Sequence, residues 1–214
     1  MFTGIIEEVG TIKSVNCTSS GAKIVVSCAK VLEETKIGDS IGIDGVCQTV
    51  TDLSSNSFSV ETMNETLSLT TFETFKTGQK VNLERAAALS TRLGGHLLSG
   101  HVEGLVKITA IEKQGIADIF RFKVAKNIER YMIYKGSVAL NGVSLTICSL
   151  EGGFFEVSLI PHTKENTTFQ YLKIGDFVNI ETDIIAKYIE KLMIKDNNTS
   201  SRIDENFLKE NGFF

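Results

Sequence analysis

The sequence predicts an all-β fold class: two tandem homologous antiparallel β-barrels followed by a C-terminal α-helix. Three observations predict it. Residues 39–50 (DSIGIDGVCQTV) return as residues 136–147 (GSVALNGVSLTI), so that Ser40 answers Ser137, Gly45 answers Gly142 and Thr49 answers Thr146 at a constant offset. Each copy sits among short β-branched runs broken by turn residues, the spacing of small barrels. A segment with helical apolar periodicity follows the second copy and has no counterpart in the first.

The repeat extends well beyond that motif. Residues 40–86 and 137–183 align without a gap, with about a third of positions identical, which marks a tandem duplication. Phe58 pairs with Phe155, Thr70-Thr71-Phe72 with Thr167-Thr168-Phe169, and Val81-Asn82 and Glu84 with Val178-Asn179 and Glu181. Upstream, Gly100-His101-Val102-Glu103 answers Gly4-Ile5-Ile6-Glu7 at an offset one residue shorter. The organisation expected is a first barrel over residues 1–96, a second over 97–183, and an oligomerisation helix and tail over 184–214.

The elements follow in order. Residues 5–15 and 23–26 carry β-branched residues with Gly10 and Gly21 as punctuation, and read as strands. Residues 40–53 form a hairpin broken at Asp44-Gly45, which places Cys47 just past the turn. Residues 57–61 and 81–84 are further strands, and the polar, threonine-rich residues 65–74 between them read as a short helix or turn. Small residues then lead to Gly94-Gly95, where one module gives way to the next. After Asp183, Ile184, Ile185, Tyr188, Ile189, Leu192 and Met193 recur at helical spacing, opposite Lys187, Glu190 and Lys191. That stripe packs either on its own barrel or on identical helices of an oligomer. Residues 197–201 read as a loop, with Phe207 and Phe213-Phe214 docking or fraying beyond it.

Composition removes several function classes. The chain of 214 residues is 42% hydrophobic and 22% charged, ordinary for a globular protein. A net charge of −4 argues against nucleic acid as partner. No apolar run reaches the roughly 18 residues of a membrane helix, and the first residues lack a secretory signal, so a cytoplasmic location is expected. Cys17, Cys28, Cys47 and Cys148 show no metal-ligand spacing, and the three histidines are scattered, so neither a metal nor a disulfide framework is expected. The glycine-rich residues lack the phosphate-loop and dinucleotide patterns, so no nucleotide cofactor is expected.

Four side chains stand out as chemistry. Cys47 is the one cysteine inside the repeated motif, and Ser144 stands in its place in the second copy; a buried structural thiol competes with a reactive one. Residues 94–103 (GGHLLSGHVE) concentrate permissive glycines around His101, which suits acid–base work or a hinge. Asp183 stands where the first copy has Ala86, and serves either a site or the helix that follows. The runs Glu61-Thr62-Met63-Asn64-Glu65-Thr66 and Ser158-Leu159-Ile160-Pro161-His162-Thr163 correspond, each offering amides and hydroxyls beside an apolar side chain. Such a rim suits a planar heterocycle bearing several carbonyl and ring-nitrogen groups.

With those residues in view, the chain resembles the riboflavin synthase family over its whole length. The resemblance rests on residues 1–7 (MFTGIIE), 45–51 (GVCQTVT), 94–101 (GGHLLSGH), 141–146 (NGVSLT) and the trailing amphipathic helix. It implies two Greek-key barrels, each binding 6,7-dimethyl-8-ribityllumazine, and a homotrimer with the active site between the first barrel of one subunit and the second barrel of the next. It implies a cofactor-free dismutation in which one lumazine gives four carbons to another, yielding riboflavin and 5-amino-6-(D-ribitylamino)uracil. Cys47 and His101 would lie on the first-barrel side; Ser144, Thr146 and Asp183 would lie on the second. His101 and Asp183 would handle protons or polarise, and Ser144 and Cys47 would meet the reacting carbons or their bound nucleophile.

Substrate contacts implied by the resemblance come from Gly4, Ile5, Ile6, Ser40, Cys47, Gln48, Thr49, Glu61, Thr62, Met63, Asn64, Glu65 and Thr66, and from Gly100, His101 and Val102. In the second copy they come from Lys135, Ser144, Leu145, Thr146, Leu159, Ile160, Pro161, His162, Thr163 and Lys164. Gln48 departs from the family's usual leucine, and His162-Thr163-Lys164 from its usual Glu-Thr-Leu. Lumazine synthase is a candidate partner. The competing expectation is a non-catalytic relative, a lumazine- or flavin-binding antenna protein.

Overall fold

In a computed structural model, which describes residues 1–193 and 205–212, each copy of the repeat closes into a six-stranded barrel. The first contains β1 (Glu8–Cys17), β2 (Gly21–Ser27), β3 (Ser40–Ile43), β4 (Val46–Ser54), β5 (Ser57–Met63) and β6 (Lys80–Arg85). The second contains β7 (Gly104–Gln114), β8 (Ala117–Lys123), β9 (Ser137–Leu140), β10 (Val143–Glu151), β11 (Phe154–Leu159) and β12 (Phe177–Thr182). Strand order is β1-β2-β5-β4-β3-β6 in one and the equivalent β10-β11-β8-β7-β12-β9 in the other, all pairs antiparallel. Because β2 returns beside β5, next to the hairpin-linked β3–β4–β5, the Greek-key connection is present, and closure removes the exposed edges an open sheet would leave.

The alternation of burial along each strand shows why these residues choose this form. In β4, Val46, Gln48 and Val50 are buried while Cys47 and Thr49 face outward; in β10, Val143, Leu145 and Ile147 repeat the pattern against Ser144 and Thr146. Phe58, Phe72, Ile24 and Leu83 fill the first barrel; Phe120, Phe122, Phe155 and Phe169 fill the second. Phe120 meets Phe169 edge-on at 5.2 Å and Phe122 stacks on Phe155 at 5.1 Å, contacts worth about 0.5–1.5 kcal/mol each beyond their burial.

The polar stretch after β5 is α1 (Asn64–Leu69) and a 3-10 turn (Thr71–Thr74). A short α2 (Lys126–Glu129) follows β8, and α3 (Pro161–Glu165) follows β11. One strand begins later than expected: β1 starts at Glu8, not Ile5. The amides before it are engaged elsewhere, since Thr3 and Gly4 donate to the Glu84 carboxylate.

Met1–Ile184 forms one compact unit, and the unit from Ile185 onward is separate. In that region α4 (Ile184–Met193) carries the expected stripe, with Ile185, Tyr188, Ile189, Leu192 and Met193 exposed, and α5 (Glu205–Glu210) follows. The loop expected at residues 197–201 and the pair Phe213-Phe214 lie outside the described residues. Among the described residues no helix is long and apolar enough to cross a membrane, and no His/Cys/Asp/Glu group is arranged to hold a metal ion.

Candidate functional site

The two hairpins that carry Cys47 and Ser144 meet tip to tip. Asp44-Gly45 and Asn141-Gly142 both turn through the left-handed region (φ 44 and 80°, 44 and 77°), the type I′ geometry that matches strand twist. A Cβ on Gly45 would stand 2.6 Å from the Gly142 amide nitrogen, so only glycine lets the tips touch. Reciprocal hydrogen bonds lock the contact: Asn82 Nδ2 donates to Asn141 O at 2.9 Å and Asn179 Nδ2 to Asp44 O at 2.8 Å. The same asparagines accept from the Thr168 and Thr71 amides across the seam. These reciprocal bonds through Asn82 and Asn179 fix one orientation of the two barrels.

The segments leading into each barrel cross this seam. Phe2 and Leu98 exchange backbone hydrogen bonds (2.8 and 3.1 Å) and bury each other together with Ala139 and Cys47. Glu84 of the first barrel accepts from the Thr3 amide and hydroxyl and the Gly4 amide; Glu181 of the second accepts from the Ser99 and Gly100 amides. So held, Gly4 O accepts from the Ser144 amide at 2.9 Å, and Gly100 O accepts from the Cys47 amide at 2.9 Å. Ile6 then packs on the second barrel's core and Val102 on the first's. Each pocket rim is therefore built from one barrel's strands and the other repeat's leader. A Cβ on Gly100 would lie 2.6 Å from Cys47 Cβ.

This sorts the predicted residues into two groups. One holds Cys47 with Gly100, next to exposed His101 and near Val102; the other holds Ser144 with Gly4, next to exposed Ile5. Thr49 and Thr146 face outward and exposed beside their respective hairpin residues. Met63 and Ile160 occupy equivalent positions at the strand exits, 67% and 52% exposed, each an apolar side chain open to solvent. Thr66 and Thr163 follow on α1 and α3, half-buried, and their carbonyls accept from Thr70 and Thr167 hydroxyls. Glu61, Asn64, Glu65, Pro161 and His162 are exposed around them. Lys164 is tied to Asp118 at 2.5 Å, and Lys135 holds a left-handed backbone (φ 63°) that is unusual for a residue with a Cβ. Gln48, Thr62, Leu145 and Leu159 belong to the buried faces of their strands.

One side chain that sequence reasoning did not single out completes the second group. His96 is buried, and its Nδ1 lies 2.7 Å from Ser144 Oγ, while its Nε2 has no hydrogen-bond partner among the described residues. Burial holds its pKa below the ordinary histidine value, opposed by the charge of Asp183. The ring is therefore neutral at neutral pH, and a neutral imidazole on a serine hydroxyl can accept its proton or donate a hydrogen bond to it. Gly95 makes the approach possible, since a Cβ there would stand 2.7 Å from Ser144 Cβ and 2.2 Å from Thr3 O. Asp183 thereby joins Ser144 electrostatically, through His96. The signal was present in the Gly94-Gly95-His96 run, but residue 96 has no repeat partner.

A groove of about 730 Å³ borders the Ser144 side, lined by Thr3, Ile5, Ser40, Arg85, Arg92 and Gly94. It takes in Ser40 and Ile5 but neither Cys47 nor Ser144, so the chemistry is better placed by the side chains than by the volume. Beside it Glu7 is paired with Arg85 at 2.6 Å; burial raises its carboxyl pKa, but the guanidinium outweighs this and holds it low.

The lumazine binding domain family profile matches residues 3–86 and again 99–183. Riboflavin synthase of Bacillus subtilis (strain 168) is 44% identical over the full length of both chains. Riboflavin synthase of Actinobacillus pleuropneumoniae is 42% identical, also end to end, and that of Photobacterium phosphoreum is 42% identical over 100% of this chain and 99% of its own. Among solved structures, LumP complexed with riboflavin superposes with a TM-score of 0.79 at 24% identity, and LumP complexed with 6,7-dimethyl-8-(1'-D-ribityl) lumazine with 0.77 at 23%. Each covers 85% of this chain and 99% of LumP, a likeness that speaks to the fold.

Proposed function

The chain belongs to the riboflavin synthase family, a family of transferases, and we propose that it catalyses that family's dismutation. Two molecules of 6,7-dimethyl-8-ribityllumazine react; one passes a four-carbon unit to the other, giving riboflavin and 5-amino-6-(D-ribitylamino)uracil. Atoms balance between two identical substrates, and the reaction needs no external oxidant or cofactor.

The observation that carries this reading is the pair of pseudo-equivalent half-sites that differ at one reactive position. Cys47 faces one rim; Ser144, backed by neutral His96, faces the other. Residues 1–96 and 97–183 would each bind one lumazine, the ring lying on Met63 or Ile160 with the hydroxyls of Thr49, Thr66, Thr146 and Thr163 at its edge. Both rims are exposed on their outer side, so a ring bound to either presents one face to a second ring. A homotrimer joined through residues 184–214, setting the first barrel of one subunit against the second barrel of the next, brings two such rings face to face. Orientation of that kind supplies up to about 7–11 kcal/mol of a bimolecular barrier.

The chain's own groups then move protons. His96 accepts the Ser144 proton as the hydroxyl engages the ring, and Asp183 stabilises the resulting imidazolium. His101, exposed beside Gly100, handles the proton on the first-barrel side, and Cys47 meets the reacting carbons there. The protein is assigned to the cytoplasm, with lumazine synthase as candidate partner. Incubation with the lumazine alone tests the reading: riboflavin absorbance and fluorescence should appear. Bound ligand with no product would make the protein an antenna instead.

A further inference from the structure

Inside the first barrel, directly behind Cys47, two buried polar atoms have no protein partner. Gln48 is 7% exposed and Thr62 5% exposed, and Gln48 Oε1 and Thr62 Oγ1 make no hydrogen bond to any described residue. The β4–β5 ladder ends at Val50–Val60, and carrying its register two residues further sets Gln48 against Thr62 on the inward face. The same construction in the second barrel, from Ile147–Val157, sets Leu145 against Leu159, both buried and apolar. The duplicated frame thus holds an apolar pair behind Ser144 and a polar pair behind Cys47.

An unpaired buried amide oxygen and hydroxyl each cost stability, whereas two side chains of this size flanking one water satisfy both at once. Across β2, Thr62 pairs with buried Ala22, a small side chain on the same inward face. The other end of the Gln48 amide is occupied: Nε2 donates to Cys47 O at 2.7 Å. Cys47 is therefore gripped on both sides of its backbone, by Gly100 O at its amide and by Gln48 at its carbonyl. Leu145 can offer Ser144 no such bond.

We propose that Gln48 and Thr62 hold one buried water at the inner end of the first barrel, and that this hydrated pair makes Gln48 a positioning residue for Cys47. A water donating to Gln48 Oε1 fixes which way the amide points, and so keeps Nε2 on the Cys47 carbonyl. The two half-sites then differ in the stiffness of the reactive residue's backbone as well as in its chemistry. This rests on the reading of Cys47 as a substrate-facing group, but its tests use no lumazine and stand or fall apart from turnover.

A crystal structure of the full chain should show an ordered water within hydrogen-bond distance of Gln48 Oε1 and Thr62 Oγ1, and none between Leu145 and Leu159. A dry first barrel would overturn the proposal. Thermal unfolding of Gln48→Leu, Thr62→Val and the double variant gives a second readout. Each single change strands one polar partner and should lower Tm by about 2–4 °C, while the double variant should melt above either single one. Strictly additive losses would show that the two groups share nothing. Iodoacetamide labelling of Cys47, followed peptide by peptide, reports the positioning role. Gln48→Leu should speed labelling several-fold, with exposed Cys17 as the unaffected control. An unchanged Cys47 rate would reduce Gln48 to a packing residue.

Discussion

Asp44 sits in the seam between the barrels where the second copy has Asn141, and replacing it with asparagine should stabilise the protein in a pH-dependent way. Asp44 is 2% exposed, and its carboxylate accepts from the Asn82 amide at 2.8 Å, the mirror of Asn141 Oδ1 accepting from the Asn179 amide. Burial pushes its pKa from 3.8 up to about 7, with the Asn82 amide pulling the other way. A carboxyl whose folded pKa is raised gives its full stability below the unfolded value and loses it as pH rises through the folded one. Between pH 3.8 and about 7 the unfolded chain ionises Asp44 while the folded chain keeps the proton. At about 1.36 kcal/mol per pH unit the loss totals about 4 kcal/mol by pH 8, of which less than half has accrued at pH 5. The replacement would keep the left-handed backbone, which asparagine tolerates, and the acceptor, while carrying no charge to desolvate. Urea unfolding of wild type and Asp44→Asn at pH 5 and pH 8 checks this. The variant's advantage should grow by about 2 kcal/mol or more between the two. An advantage that does not change with pH would refute the claim that a buried, late-ionising carboxyl strains the seam.

Three further outcomes follow from the site. Gly95→Ala places a Cβ against Thr3 O and Ser144, which should cost about 1–3 kcal/mol in thermal unfolding and suppress riboflavin formation at the same time. His96→Gln removes the base on Ser144 and should lower turnover about 100-fold or more in a steady-state assay while leaving lumazine affinity within a few-fold. Deleting residues from Ile184 onward should give monomers by sedimentation with both barrels folded by circular dichroism; a truncated chain that stays trimeric would place the subunit contact elsewhere.

The fold was legible because duplication and period-two burial both survive in one dimension. Asp44-Gly45 and Asn141-Gly142 announce their hairpins, and the register of Cys47 against Ser144 follows from counting. What was not legible depends on the crossing of the leaders. His96 reaches Ser144 across 48 residues of sequence because Thr3 and Gly95 bring the two segments together, and no local pattern encodes that. Glu84 and Glu181 stood out as a repeated pair yet read as strand residues. Their buried position, against an alternation that should expose every second residue, was the clue that they serve the leaders. The same holds for Asn82 and Asn179, whose amides lock the seam. The late start of β1 has the same origin, since the Gly4 amide donates to Glu84 and its carbonyl accepts from Ser144 of the other barrel.

The measurement closest to the central claim is the stoichiometry of the reaction with 6,7-dimethyl-8-ribityllumazine as sole reactant. Two differing half-sites acting on two copies of one molecule predict two lumazines consumed per riboflavin formed, with 5-amino-6-(D-ribitylamino)uracil released in equal amount. Lumazine held at the barrels without any riboflavin appearing would contradict the account.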